Sequence, residues 1–99
     1  MRLTKEQRTA IKQAVKTTLG DNASVWLFGS RVNDELKGGD IDLYIEVQSK
    51  NTDLLQAELQ LYTEIIQKIG EQKIDIVMHQ VDTPKKAIHE QALATGVLL

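Results

Sequence analysis

The stretch Asp40-Ile41-Asp42-Leu43-Tyr44-Ile45-Glu46-Val47 alternates polar and apolar residues without a break. This is the period of a strand with one face in a core and the other facing solvent or a ligand. Because Asp40 and Asp42 are two apart, both carboxylates leave the same face. The register is pinned, since a slip by one residue would bury both acids. The rest of the 99-residue chain has to be arranged around a sheet that holds this strand.

Other elements are legible on either side. Thr4-x-x-Gln7 is a capping-box pattern. Ile11, Ala14, Val15, Thr18 and Leu19 then recur at helical spacing up to Gly20, which predicts a helix over Lys5 to Leu19. Val25-Trp26-Leu27-Phe28, bounded by polar residues and Gly29, reads as a short buried strand. Leu55, Leu59, Tyr62, Ile66 and Ile69 step by four and three towards Gly70, an amphipathic helix from about Asp53. Ile74, Ile76 and Met78 alternate with Asp75, Val77 and His79 as a third strand. Thr83-Pro84 reads as an N-cap with proline at the first helical position, opening a last helix that ends near Thr95.

Connection lengths then limit the topology. Only Gly29 to Gly39 separates the first two strands, too few for a parallel crossover, so they are expected to be antiparallel neighbours. A long helix joins the second strand to the third, which suits a parallel crossover. The expected fold is α/β (α+β), a small mixed β-sheet packed with helices, as one domain over residues 1–99.

Composition excludes several classes. No stretch approaches the roughly 20 apolar residues of a membrane span. Met1-Arg2-Leu3-Thr4 begins no apolar run, so no secretory leader is expected. The chain has no cysteine, which fits a reducing compartment such as the cytoplasm. Net charge is −2 and the basic residues are scattered, so a nucleic-acid backbone is not the expected partner.

The chemistry concentrates in Gly29-Ser30-Arg31 and Asp40-Ile41-Asp42. Gly29 ends a strand and allows a sharp turn with close approach to a ligand. Ser30 would then start a short helical turn, where free N–H groups and a hydroxyl favour an anion such as a phosphate. Two carboxylates on one strand face repel each other unless a cation sits between them. Mg²⁺ fits, since it takes hard oxygen ligands and accepts one or two carboxylates plus substrate phosphates. Asp75, in the otherwise apolar run Ile74-Asp75-Ile76-Val77-Met78, would converge on the pair if its strand lies alongside. Such a trio can hold two metal ions, and Asp75 can also accept the proton of an attacking hydroxyl. Each part alone is commonplace: Gly-Ser is a frequent turn, Asp-x-Asp is often a solvated edge, and Asp75 could simply pair with Lys73. Together at one fixed spacing they should arise by chance on the order of 10⁻⁵ per start position. His79 and His89 have no partner at metal-ligand spacing and read as packing or solvated residues.

With those residues in view, the segment resembles the signature of the DNA polymerase β-like nucleotidyltransferase superfamily: Gly-Ser, a spacer, Asp-x-Asp, and a third carboxylate on a later strand. The runs Phe28-Gly29-Ser30-Arg31 and Asp40-Ile41-Asp42-Leu43 are most similar to the minimal nucleotidyltransferases. Gly39 stands where these proteins often carry serine, which removes no metal ligand.

The resemblance implies a nucleotidyltransferase fold and in-line attack of a hydroxyl on the α-phosphorus of a nucleoside triphosphate such as ATP. Gly29 and Ser30 would hold the β- and γ-phosphates, with Arg31 neutralising triphosphate charge. Asp40 and Asp42 would bind two Mg²⁺ ions, and Asp75 the one nearer the attacking hydroxyl. It also implies a partner, a helical HEPN-domain protein in a toxin–antitoxin pair, with AMP placed on a toxin tyrosine. Two alternatives stay open at this stage. One is transfer to a small molecule such as an aminoglycoside beside a helical partner subunit. The other is a structural antitoxin without catalysis.

Overall fold

The computed structural model describes residues 3–29, 40–48 and 53–99. Helix α1 spans Lys5–Leu19, and both capping-box bonds are made. The Thr4 hydroxyl accepts from the Gln7 N–H, and the Gln7 side chain accepts from the Thr4 N–H, each at 3.0 Å. After a 3₁₀ turn at Gly20–Asn22 come β1 (Ala23–Phe28), β2 (Ile41–Val47), α2 (Leu54–Ile69), β3 (Ile74–Gln80), α3 (Ala87–Thr95) and β4 (Val97–Leu98). The strands form one sheet in the order β3-β2-β1-β4. β1 pairs antiparallel with β2, and β2 pairs parallel with β3 through the α2 crossover. The connection lengths had implied both pairings, and the mixed α/β fold is as expected.

Alternation along the strands sorts the two faces. Ile41, Leu43, Ile45 and Val47 point with Val25, Leu27 and Ile74 into a core closed by Ile11, Ala14 and Val15 of α1 and Leu61 and Ile65 of α2. The opposite face carries Asp42, Tyr44 and Glu46, and α3 lies across part of it. Among the described residues no helix is long and apolar enough to cross a membrane.

The structure departs from the sequence reading in four places. β1 starts two residues earlier, at Ala23. The last helix does not start at Thr83-Pro84. Thr83 instead folds back, its N–H and hydroxyl both donating to the Gln80 carbonyl, and so closes a turn after β3. Lys86 is the N-cap of α3, and its N–H donates to His89 Nδ1 at 3.0 Å. Val97-Leu98 is a short edge strand on β1, opposite Leu27 and Trp26. Gly96 lets the chain arrive there, because a Cβ would collide with the Ala92 carbonyl oxygen and crowd Trp26 Cβ at 3.3 Å.

The fourth departure is the face α2 buries. The stripe Leu55-Leu59-Tyr62 was expected inside, but these side chains are 69%, 61% and 40% exposed. Ala57, Leu61 and Ile65 are buried instead. The helix carries two apolar stripes roughly one residue, about 100°, apart. Contact with α1 and β3 decides which of them faces inward. Leu55→Gln is therefore expected to shift the urea-unfolding free energy by no more than about 0.5 kcal/mol. A larger loss would mean that this stripe is covered in the folded chain.

Candidate active site

Strand register brings the acids together. Asp42 stands opposite Phe28 on β1 and opposite Asp75 on β3, so one row crosses three strands. Residues directly opposite in neighbouring strands share a face and sit in side-chain contact. Asp75 therefore presents its carboxylate beside that of Asp42. Pairing continues one step further, where the Ile41 N–H donates to the Lys73 carbonyl at 3.0 Å.

Asp42 is partly buried and its carboxyl pKa is pushed above the usual carboxylate range. Burial is the first cause, followed by the charge of Asp75 and a hydrogen bond with it, then the charge of Asp40. Lys73 pulls the other way. Its Nζ lies 3.5 Å from Asp40 Oδ2, so the lysine pairs with Asp40 rather than with Asp75. At this exposure such a pair contributes little, and it leaves Asp40 free to exchange partners.

Gly29 backs directly onto Asp42. Its φ is +78°, and a Cβ there would collide with Asp42 Oδ2 and stand 3.1 Å from Cγ. Glycine at this position thus permits the positive φ and leaves room for the Asp42 carboxylate against the backbone. Ser30 and Arg31, expected to hold phosphate, lie outside the described residues.

These residues fit a hard divalent cation. A repelling carboxylate pair with one partly buried member gains from a positive charge between the two, and one lysine only partly offsets the repulsion. Among the described residues no three acidic or imidazole groups form a ready-made cage.

Further along the same face lies a second cluster of polar and aromatic side chains. His79 and His89 are both buried, with ring centroids 4.7 Å apart. Tyr44 stacks at a tilt between Trp26 and His89, at 5.4 and 5.9 Å. His79 Nε2 donates to the Thr83 carbonyl at 2.8 Å, and its Nδ1 stands 3.5 Å from Glu46 Oε1. The Tyr44 hydroxyl feels the Glu46 carboxylate without an aligned hydrogen-bond partner. Burial, then Glu46, pushes the phenol up to about 12. The visible signal was the period of two, which sets His79 on the face of Asp75. His89 comes from a separate helix and gives no such cue.

Burial lowers the His89 pKa below 6.5, with the charges of His79, Lys86 and Lys85 adding to it. A bond to the Met78 backbone opposes the shift. The folded chain therefore binds fewer protons than the unfolded chain between the depressed pKa and 6.5. Stability from this group is present above pH 6.5 and is lost as pH falls through that window. His89→Gln should flatten the dependence of the urea midpoint on pH between 5 and 7.5. An equally steep profile in the variant would assign the dependence elsewhere.

Comparison with curated proteins found no match. The family described as Polymerase beta, Nucleotidyltransferase matches residues 10–99, a span that holds β1, the Gly29 bend and all three acids. With the acids of β2 and β3 in one row beside a glycine bend, and that match over most of its length, the chain belongs to the polymerase beta nucleotidyltransferase family.

Proposed function

We propose that residues 1–99 act as a single catalytic domain that transfers AMP from ATP to a hydroxyl, with a tyrosine of a helical HEPN-domain toxin as the acceptor. Transfer would neutralise that toxin, and the pair would work in the cytoplasm, where a cysteine-free chain is at no disadvantage. The observation that carries this reading is the Asp42–Asp75 pair in register, with Asp40 two residues upstream and Gly29 against Asp42.

In this reading the acceptor oxygen forms a bond to the α-phosphorus, the bond from that phosphorus to the bridging oxygen of pyrophosphate breaks, and pyrophosphate leaves. Asp40, Asp42 and Asp75 would hold Mg²⁺, which supplies Lewis-acid stabilisation of charge on the phosphoryl oxygens. Asp75 is exposed on the edge strand, where an acceptor could approach it, and it would take the hydroxyl proton. Asp42, the more buried acid, anchors the site. Ser30 and Arg31, which follow Gly29 in sequence, would hold the triphosphate.

The test is incubation of the chain with Mg²⁺, ATP labelled at the α-phosphate and the helical protein encoded beside it. Label on a tyrosine of that protein is expected. Label only on an added aminoglycoside would move the acceptor to a small molecule. Toxin neutralisation by an Asp42→Ala variant, with no label transferred, would reduce the chain to a binding antitoxin.

A further inference from the structure

The outer edge of β3, and the apolar stripe of α2 beside it, have no role in the site described above. β3 ends the sheet, and among the described residues no strand pairs with its outer side. In a parallel pair, alternate residues turn their N–H and C=O to the same neighbour. The Ile41 N–H donates to the Lys73 carbonyl and the Val81 N–H to the Val47 carbonyl, so the odd-numbered residues of β3 face β2. Ile74 and Ile76 therefore turn their N–H and C=O outward. Behind them, Glu58, Leu59, Tyr62, Ile74 and Ile76 enclose a cleft of about 170 Å³. A cavity of about 150 Å³ accommodates a benzene ring, so the cleft takes one large apolar side chain.

We propose that the acceptor reaches the catalytic row as an extended peptide segment that adds itself to the outer edge of β3. The inference rests on the nucleotidyl-transfer reading above and names how its substrate docks. Strand addition gains affinity from main-chain hydrogen bonds and specificity from pockets for alternate side chains, and both are present here. A docked helix would cover Leu59 and Tyr62 but would offer no main-chain groups to Ile74 and Ile76. Glu58 in the cleft and Asp75 on the edge disfavour an acidic segment and favour a basic one.

Geometry also selects the acceptor residue. On an added strand, the residue opposite Asp75 projects onto the carboxylate face, and its two neighbours project over the cleft. That strand would lie two strand spacings, about 10 Å, from β2 and Asp42. A serine hydroxyl stays above its own strand. A tyrosine hydroxyl, carried beyond the ring, reaches back over Asp75. The segment is thus a tyrosine between two apolar residues, with basic flanks.

The probe is fluorescein-labelled Lys-Val-Tyr-Val-Lys, with its affinity for the full chain read by anisotropy and its labelling read with Mg²⁺ and α-labelled ATP. N-methylation of the amides that face β3 is expected to weaken binding about tenfold or more, and methylation of the other set to spare it. The valine amides face β3 in an antiparallel docking, the tyrosine amide in a parallel one. Ile76→Pro removes an outward N–H without touching the ladder to β2 and should weaken binding similarly. Should that variant misfold, Leu59→Glu in the cleft gives the same information. Binding that ignores both methylation sets and both variants overturns the inference. If tyrosine labelling then persists, the nucleotidyl-transfer reading survives alone. Binding with the expected sensitivity but no label on any hydroxyl keeps the peptide site and removes the transfer reading. A dimer of this chain that Ile76→Pro abolishes would place a second copy on the edge and overturn the inference.

Discussion

Asp42→Asn is expected to lower kcat/KM for nucleotidyl transfer by at least about 10³-fold while leaving the fold as stable as the parent at pH 7, or more so. The two halves of this expectation come from the same geometry. Asp42 stands at the middle of the row, against Asp75 on one side and Gly29 on the other, so no other acid can take its place. Yet ionised Asp42 is held against burial and against the charges of Asp75 and Asp40. A carboxyl whose folded pKa is raised contributes stability below its unfolded pKa of 3.8 and loses it as pH rises through the folded value. At pH 7 the charged form is thus a cost, and neutral asparagine of the same volume removes it. Urea midpoints from pH 4 to 8 should show the variant equal or superior at the upper end. Mg²⁺ should raise the melting temperature of the parent and not of the variant, because only the parent gains from ligand binding. Normal turnover by the variant would falsify the assignment of Asp42 to the cation.

That trade of stability for charge density was partly legible beforehand. Asp40 and Asp42 interrupt an alternating apolar strand, and the short gap from Gly29 required an antiparallel neighbour. Asp75 needed only a parallel crossover to come alongside, and α2 supplied one. These are local rules acting over one or two residues, or topological rules acting on lengths, and both survive without tertiary information. The α2 face did not survive, because two apolar stripes satisfy helical spacing equally and only the docked sheet distinguishes them. Thr83-Pro84 resembled a helix start because a threonine hydroxyl bonds a nearby backbone group in a cap or in a turn, and the Gln80 carbonyl was the nearer partner. β4 is two residues long and has no period to detect. The Tyr44–Glu46–His79–His89 cluster draws on three elements, and its pairing exists only once α3 lies across the sheet. The partner of Lys73 was open as well, since side chains on Lys73 and Asp40 meet only across the β2–β3 pair.

Gly29→Ala should separate the bend from the turn it makes. Three described glycines have positive φ: Gly20 at 76°, Gly29 at 78° and Gly70 at 88°. A side chain is strained at positive φ wherever it is placed, and Gly70, with ψ of 173°, lies in a region essentially confined to glycine. At Gly70, which caps α2, a new Cβ meets nothing within 4 Å. At Gly29 the same Cβ lands on Asp42 Oδ2 and lies 3.3 Å from Asp42 Cβ. The carboxylate, being the movable party, must rotate away from the row it shares with Asp75. Displacement by about 1 Å is enough to cost about 10²-fold in rate when reacting groups are held in place. Both variants are therefore expected to lose stability, measured by urea unfolding, while only Gly29→Ala loses transfer activity by about two orders of magnitude. Gly70→Ala controls for the backbone penalty and for any loss of folded population. Equal activity in the two variants would show that Asp42 tolerates the intruding methyl, and the close approach of Gly29 would then matter for the turn alone.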